Sequence, residues 1–472
     1  MFDIEPYLNL ILKVILYYLI MIELLPLGGA GEIGANCYYL NLNGPGIILD
    51  CGMHPQKTGL DSLPKFDLLV DKPTDYVLIS HAHQDHLNAL PFLIKKFPHL
   101  KIITTPQTRA IAELTLQNAI HILKRQVKEE EFEVYSRDEV DLLIKSIIYK
   151  SYNEKFSLES LSTDSKAEAE FFDAGHILGS AGILLTFESK KVFFTGDINL
   201  SSQTLLPGAN LPSEKIDILI METTYGVTDS SGLNRWDKEV DHFASSINKI
   251  INNGGSILIP VFALGKLQEM LATIWLLMQQ NQITQVDIYT GGIGKKINRV
   301  YDYNRFVVNR NQLELTLNDV TCKDLNELKD LKELFKFPSI VLASSGMMIE
   351  STNSYILAKR WLHRKDSAIF TVGYMDPSTP GSVIARAKKG DKIQLSEREK
   401  KVEVKCEIKN FRFSAHSKRE ELLSLAKRLK ADTIVLVHGD KDAIDWMGAS
   451  VIKKFQGKKV YAPVNYNSIL FD

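Results

Sequence analysis

The sequence predicts an α/β fold built of two α/β units, the second inserted into the first. Three observations carry this. Short apolar runs of strand length alternate with helical runs from Met21 to about residue 200. The composition then turns to Ser, Pro, Asn and Gly between residues 199 and 215, and a new alternation begins. A strand and helix texture returns from Phe411 onward. At 472 residues the chain exceeds ordinary single-domain length. The boundaries expected are an N-terminal extension over 1–20, a first domain beginning over 21–226, an inserted domain over 227–405, and the remainder of the first domain over 406–472.

Taken in order, residues 1–20 read as a peripheral helix or an upstream start. The apolar run from Leu8 to Leu25 is broken by Lys13 and Glu23, follows acidic Asp3 and Glu5, and lacks a small-residue cleavage site. No stable membrane association is expected. MIELLPLGG predicts the first strand. Gly29 to Gly34 then matches G-x-G-x-x-G, but NCYYLNLNGPGIILD alternates as two strands and a turn, where a dinucleotide site would need a helix. YVLIS, KIITT, GILLTFE and KVFFTGD predict further strands. Residues 120–170, with KEEEFE and a KSYNEKF turn, are expected to be a charged, solvated insertion without chemistry. In the inserted domain DKEVDHFASSINKIINN predicts a helix, and GSILIPV, QVDIYT and SIVLASS predict strands.

Hydrophobic residues at 45% and charged residues at 24% are those of a folded soluble chain, excluding disordered and polytopic membrane classes. The net charge of −1 means that a polyanionic partner must be held by a local cleft or a metal ion. Cys37, Cys51, Cys322 and Cys406 form no C-x-x-C pair, which argues against a disulfide framework or thiolate site and for a reducing, cytoplasmic location.

The strongest chemical signal is His81-Ala82-His83-Gln84-Asp85-His86, between the strand YVLIS and the helix LNALPFLIKKF. In extended backbone His81 and His83 point the same way, and the turn into the helix brings Asp85 and His86 alongside. Imidazole and carboxylate are ligands for Zn²⁺ and related divalent ions, and four such side chains in six residues have no core-packing rationale. His176, Asp197 and His438 each follow an apolar strand too, and strand ends on one edge of an α/β sheet converge. Taken singly, His176 or His438 is more simply a hydrogen-bonded or surface histidine.

The complete H-x-H-x-D-H motif, with Asp50 in IILDCG, His176 and Asp197, resembles the metallo-β-lactamase superfamily. METTYG with Glu222, FSAH with His416, LVHG with His438, and the segments LIPVFALGKLQE and VLASSGM are similar to motifs of its β-CASP nucleases. The resemblance implies an αββα sandwich with an inserted α/β β-CASP domain. It implies two Zn²⁺ ions, or Mn²⁺ or another divalent metal, one on His81, His83 and His176 and the other on Asp85, His86 and His438. Asp197 would bridge them, Asp50 would orient ligands, and Glu222 with His416 would serve catalysis. The implied activity is metal-dependent hydrolysis of single-stranded RNA giving a 5′-phosphate and a 3′-hydroxyl. Histidine at 438 favours RNA, because DNA-repair members carry valine there.

Gly265, Lys266, Ser344, Ser345 and Gly346 are candidate substrate contacts, at turns whose backbone amides could meet phosphate. Lys295, Lys296 and Arg299 form a basic patch whose simpler reading is a solvated helix start. Lys266 stands where family members frequently have arginine, and GYMDPSTPGSVI carries two prolines where a shorter segment is common. The alternatives are a DNA-directed nuclease, a small-molecule metallo-hydrolase and a nonenzymatic scaffold; assembly into a homo-oligomer is left open. The small-molecule reading leaves the insertion, Glu222, His416 and His438 unexplained, and the complete ligand set argues against the scaffold.

Overall fold

The computed structural model describes residues 22–126, 132–230 and 235–471; the expected N-terminal extension lies outside them. Ile22–Gly28 opens a seven-stranded sheet. It pairs antiparallel with Cys37–Asn41 and with Ile469–Phe471 at the sheet edge. Gly46–Leu49 continues antiparallel, and Tyr76–Leu78, Lys101–Thr104 and Ile148–Tyr149 follow in parallel. The G-x-G-x-x-G segment forms the loop between the first two strands, and no helix follows it, so its geometry is not that of a dinucleotide site.

A second seven-stranded sheet runs in the order Lys459–Tyr461, Thr433–Val437, Ile218–Glu222, Lys190–Phe194, Ala181–Phe187, Lys166–Asp173, Lys155–Glu159. Alternate residues of both sheets, among them Leu24, Tyr38, Ile47, Phe171, Ile183 and Phe194, interleave in one apolar layer. Each large side chain fully buried there contributes about 1.5–3 kcal/mol. Helices including Leu90–Lys96 and Arg137–Ser146 cover the first sheet, and Arg419–Arg428 and Lys441–Lys454 cover the second. The result is an αββα sandwich.

The stretch expected as a solvated insertion is largely structural. Lys155–Glu159 and Lys166–Asp173 form an antiparallel hairpin at the edge of the second sheet, and Phe156 and Leu158 enter the core. The burial of alternate residues in KFSLE and KAEAE shows why. Lys, Glu and Ser occupy the outward face, and the apolar residues between them are sufficient to bury the other. Residues 127–131, within KEEEFE and just before it, lie outside the described residues.

The inserted unit is a six-stranded parallel sheet in the order Cys322–Asp324, Asp287–Thr290, Ser339–Ala343, Ile257–Pro260, Ala368–Thr371, Glu407–Asn410. Trp236–Ile251, Lys266–Gln279 and Gly294–Tyr303 pack on one face, while Asn353–Trp361 and Pro380–Arg386 pack on the other. The last strand, Glu407–Asn410, pairs with Ala368–Thr371. The inserted sheet therefore runs past the boundary expected at residue 405. Ile177, Leu178 and Leu205 of the sandwich share one apolar cluster with Leu264, Leu267 and Tyr301 of the insertion. At this seam Gly265, at φ +85°, lies where a Cβ would stand 2.5 Å from Ile177 Cγ2.

Candidate metal centre

All seven residues expected as ligands sit just beyond strand ends on one edge of the sandwich. His81 and His83 follow Tyr76–Leu78, and Asp85 and His86 occupy the single helical turn Gln84–Leu87. His176, Asp197 and His438 leave three strands of the second sheet. Asp197 is aimed by Gly196, at φ +52°, where a Cβ would stand 2.8 Å from the Ser80 side chain.

The ligand atoms converge in two groups. His83 Nδ1 is 3.1 Å from both His81 Nε2 and His176 Nε2. Asp197 Oδ2 is 3.5 Å from His81 Nε2 and 3.6 Å from His176 Nε2. These separations match the edges of a tetrahedron of ligands about 2.0–2.1 Å from a central ion, about 3.3–3.4 Å. In the second group Asp85 Oδ2 lies 3.2 Å from His438 Nε2 and 3.7 Å from His86 Nε2. Asp197 Oδ1 is 3.3 Å from His86 Nε2 and 3.2 Å from His438 Nδ1, so the two oxygens of one carboxylate face different groups.

Second contacts fix the rings. Asp50 Oδ2 accepts from His86 Nδ1 at 2.7 Å, leaving Nε2 to face the centre. The same carboxylate accepts from Ser80 N at 2.6 Å and Ser80 Oγ at 2.7 Å, and that hydroxyl lies 3.0 Å from His81 Nδ1. His176 Nδ1 donates to the Ala415 carbonyl at 2.7 Å. Asn36 Nδ2 donates to the Asp85 carbonyl and lies 3.1 Å from His86 Nε2, a neighbour that the sequence pattern did not single out.

The electrostatics fit a cation. Burial drives His81, His83 and His176 below the usual histidine range, leaving the neutral imidazole that ligates. Burial opposes ionisation of Asp197, but His438, His86 and His416 hold it well below the usual carboxylate range. Burial likewise disfavours protonated His86, yet the carboxylates of Asp197, Asp85 and Asp50 raise it well above its usual value. The carboxylates thus create a demand for positive charge at this point. Asp197 Oδ1 is buried without a hydrogen bond among the described residues, which an ion would satisfy.

Glu222 and His416 border the centre. Glu222 accepts from Ile198 N at 2.8 Å and Thr224 N at 3.2 Å, and its Oε1 is 3.0 Å from His416 Nδ1. Burial works against protonated His416, but Glu222 and then Asp197 raise it to about 9. His416 Nε2 lies 4.0 Å from Asp197 Oδ2. A cavity of about 210 Å³ opens onto this edge between sandwich and insertion, lined by His83, His176, His416, Tyr225, Lys266 and Met347 among others.

The other candidate contacts are placed differently. The Gly265 amide donates to Gln268 Oε1 at 2.8 Å and is not free for phosphate. Lys266 lines the cavity, but its Nζ donates to the Phe413 carbonyl, and burial lowers its pKa to about 8. Ser344, Ser345 and Gly346 do not line the cavity; Met347 does. The Ser345 hydroxyl and carbonyl serve the turn itself, accepting from Ile349 N and Ser354 Oγ. Lys295 pairs with Asp324 at 3.1 Å, as befits a solvated helix start.

Comparisons with known proteins agree with this geometry. Residues 39–224 match a metallo-beta-lactamase superfamily domain, 267–384 a Beta-Casp domain, and 401–463 a Zn-dependent metallo-hydrolase RNA specificity domain. The probable RNase MJ4 of Methanocaldococcus jannaschii is 30% identical, over 89% of this chain and 93% of its own length. Cleavage and polyadenylation specificity factor subunit 3 of Dictyostelium discoideum is 28% identical over 96% of this chain. The chain spans 58% of that relative and 65% of cleavage and polyadenylation specificity factor 73 of Drosophila melanogaster. A solved protein of unknown function from Enterococcus faecalis shares the fold, with TM-score 0.57 and 12% identity over 96% of this chain and all of its own. The chain belongs to the β-CASP family of the metallo-β-lactamase superfamily.

Proposed function

We propose that the chain is a metal-dependent ribonuclease that hydrolyses single-stranded RNA at the centre formed by His81, His83, His176, Asp85, His86, His438 and Asp197. The observation that carries this is one carboxylate, Asp197, placed between two convergent ligand groups and beside the Glu222–His416 pair. Its relatives named as RNase and as endoribonucleases support the reading. We assign two Zn²⁺ ions to the two groups; when bound they would supply Lewis acidity, water activation and neutralisation of phosphate charge.

The chain's own residues do the rest. Asp50 and Ala415 hold the imidazoles in the tautomers that ligate. The apolar flank of the cavity, including Phe262, Leu264 and Phe413, excludes bulk water. Glu222 keeps His416 protonated at neutral pH, and its Nε2 faces the centre. As water oxygen bonds to phosphorus and the P–O3′ bond breaks, His416 gives its proton to O3′. The water's proton then restores His416, leaving a 5′-phosphate and a 3′-hydroxyl. Four free cysteines suit the cytoplasmic location we assign. Among the described residues, no helix is long and apolar enough to cross a membrane.

The test is cleavage of matched single-stranded RNA and DNA oligonucleotides, labelled in turn at each end, with an Asp85→Ala/His86→Ala control. Cleavage of RNA that vanishes in the control is expected. Preferred DNA cleavage, or intact RNA with metal bound, would overturn the reading.

A further inference from the structure

A second cavity, of about 340 Å³, adjoins the metal cavity and shares Tyr225, Gly373, Tyr374, Ser414 and His416 with it. Its chemistry differs. The metal cavity is lined by Asp85 and Asp197, whereas no carboxylate among the described residues lines the second, which presents Arg386, Arg412 and Lys418. Neither arginine has an ion-pair partner among the described residues. Among the described residues Arg386 donates to the Ser382 and Pro377 carbonyls, at 3.2 and 3.4 Å, leaving guanidinium donors unused there. Unpaired guanidinium groups on a concave surface are suited to phosphate.

The floor is preorganised. Thr371 Oγ1 donates to Asn410 Oδ1 at 2.6 Å, and Asn410 Nδ2 donates to the Ala385 carbonyl at 2.8 Å, tying two strands to the helix that ends at Arg386. At the junction of the cavities Tyr225 and Tyr374 meet edge to face, 6.1 Å between ring centroids. The Tyr374 hydroxyl is buried without a hydrogen-bond partner among the described residues. An aromatic platform beside unpaired arginines is the combination that holds a nucleobase and its phosphate.

Resting on the proposed ribonuclease reading, we infer that this cavity is the subsite for the nucleotides upstream of the scissile bond. His416 lines both cavities. In the proposed chemistry its Nε2, which faces the metal ligands, protonates O3′ of the upstream fragment, so that fragment begins at the centre and continues past His416 into the second cavity. Tyr225 and Tyr374 stack its terminal base, and Arg386 and Arg412 hold its next phosphate.

The test measures binding of fluorescent trinucleotides to the intact metal-loaded protein by anisotropy. One is an upstream-product mimic ending in a 3′-hydroxyl, the other a downstream mimic beginning with a 5′-phosphate, each labelled at its remote end. Arg386→Gln and Arg412→Gln are exposed substitutions, with circular dichroism as a check on folding. Each is expected to weaken the upstream mimic about tenfold and leave the downstream mimic within about twofold. Equal weakening of both mimics, or of the downstream mimic alone, would overturn the assignment, as would no binding of the upstream mimic in either its ribonucleotide or its deoxyribonucleotide form. Deoxyribonucleotide mimics separate the two proposals. If they bind upstream with the same dependence on the arginines while ribonucleotides do not, the subsite stands and the RNA reading fails.

Discussion

Asp50→Asn isolates what orientation contributes to the metal centre. Asp50 adopts φ 60°, a left-handed conformation that asparagine also tolerates, so the backbone can remain in place. The side chains are nearly isosteric, and Oδ1 can still accept from Ser80 N. What is lost is the anionic acceptor at Oδ2, which holds His86 Nδ1 at 2.7 Å and Ser80 Oγ at 2.7 Å. An amide nitrogen in that place donates, so His86 must accept at Nδ1 and carry its proton on Nε2, the atom that faces the ligand group. The hydroxyl loses its acceptor too, and with it the fixed orientation opposite His81 Nδ1 at 3.0 Å. One substitution therefore reaches both ligand groups. Loss of such an orienting carboxylate costs about 10–100-fold in metal affinity, or about 1.4–2.7 kcal/mol. Competition with a fluorescent chelator should show both sites weakened to this extent, with the far-ultraviolet circular dichroism spectrum unchanged. Wild-type affinity at both sites would refute the reasoning, and weakening confined to one site would refute the relay through Ser80.

Glu222→Gln removes the charge that raises the His416 pKa to about 9; protonated His416 is lost as pH rises through its pKa, so the alkaline limb of the RNA cleavage profile should move to lower pH while metal content is unchanged. Gly52→Ala puts a Cβ 1.7 Å from the Asp85 carbonyl oxygen, which requires the His81–His86 turn to shift; a fall of about 2 kcal/mol or more in urea stability, with loss of metal, is expected. Glu269→Ala strands the Leu205 and Leu206 amides, which the carboxylate accepts at 2.9 and 3.2 Å across the seam between sandwich and insertion; about 2–5 kcal/mol should be lost in urea unfolding. Chelation leaves Asp85 and Asp197 with histidines alone as counter-charges and removes the stabilisation that binding gives the folded state, so differential scanning fluorimetry should show a lower melting temperature, recovered on adding Zn²⁺.

The fold and the candidate metal-binding cluster were legible because strand ends carry a strong signal: a His or Asp placed just after a buried apolar run contributes nothing to packing. The H-x-H-x-D-H run, His176, Asp197 and His438 all follow that rule. The hairpin over Lys155–Glu159 and Lys166–Asp173 was obscured because its outward Lys and Glu dominate the composition, although the alternation was present. The turns at Gly265 and at Ser344 to Gly346 show the converse: a glycine-rich turn advertises free amides, but whether Gln268 or Ile349 already uses the local groups is decided by side chains in space. Arg386, Arg412 and Lys418 lie on separate elements and form no motif in sequence; only the end of the inserted sheet, continuing to Asn410, brings them to one cavity.

The most direct test of the central claim is to titrate Zn²⁺ into metal-stripped protein while following cleavage of an end-labelled single-stranded RNA. Cleavage that rises to a plateau at two equivalents per chain, and is abolished by Asp197→Asn, is the predicted result. A plateau at one equivalent, or cleavage that persists without metal or without the Asp197 carboxylate, would contradict the account.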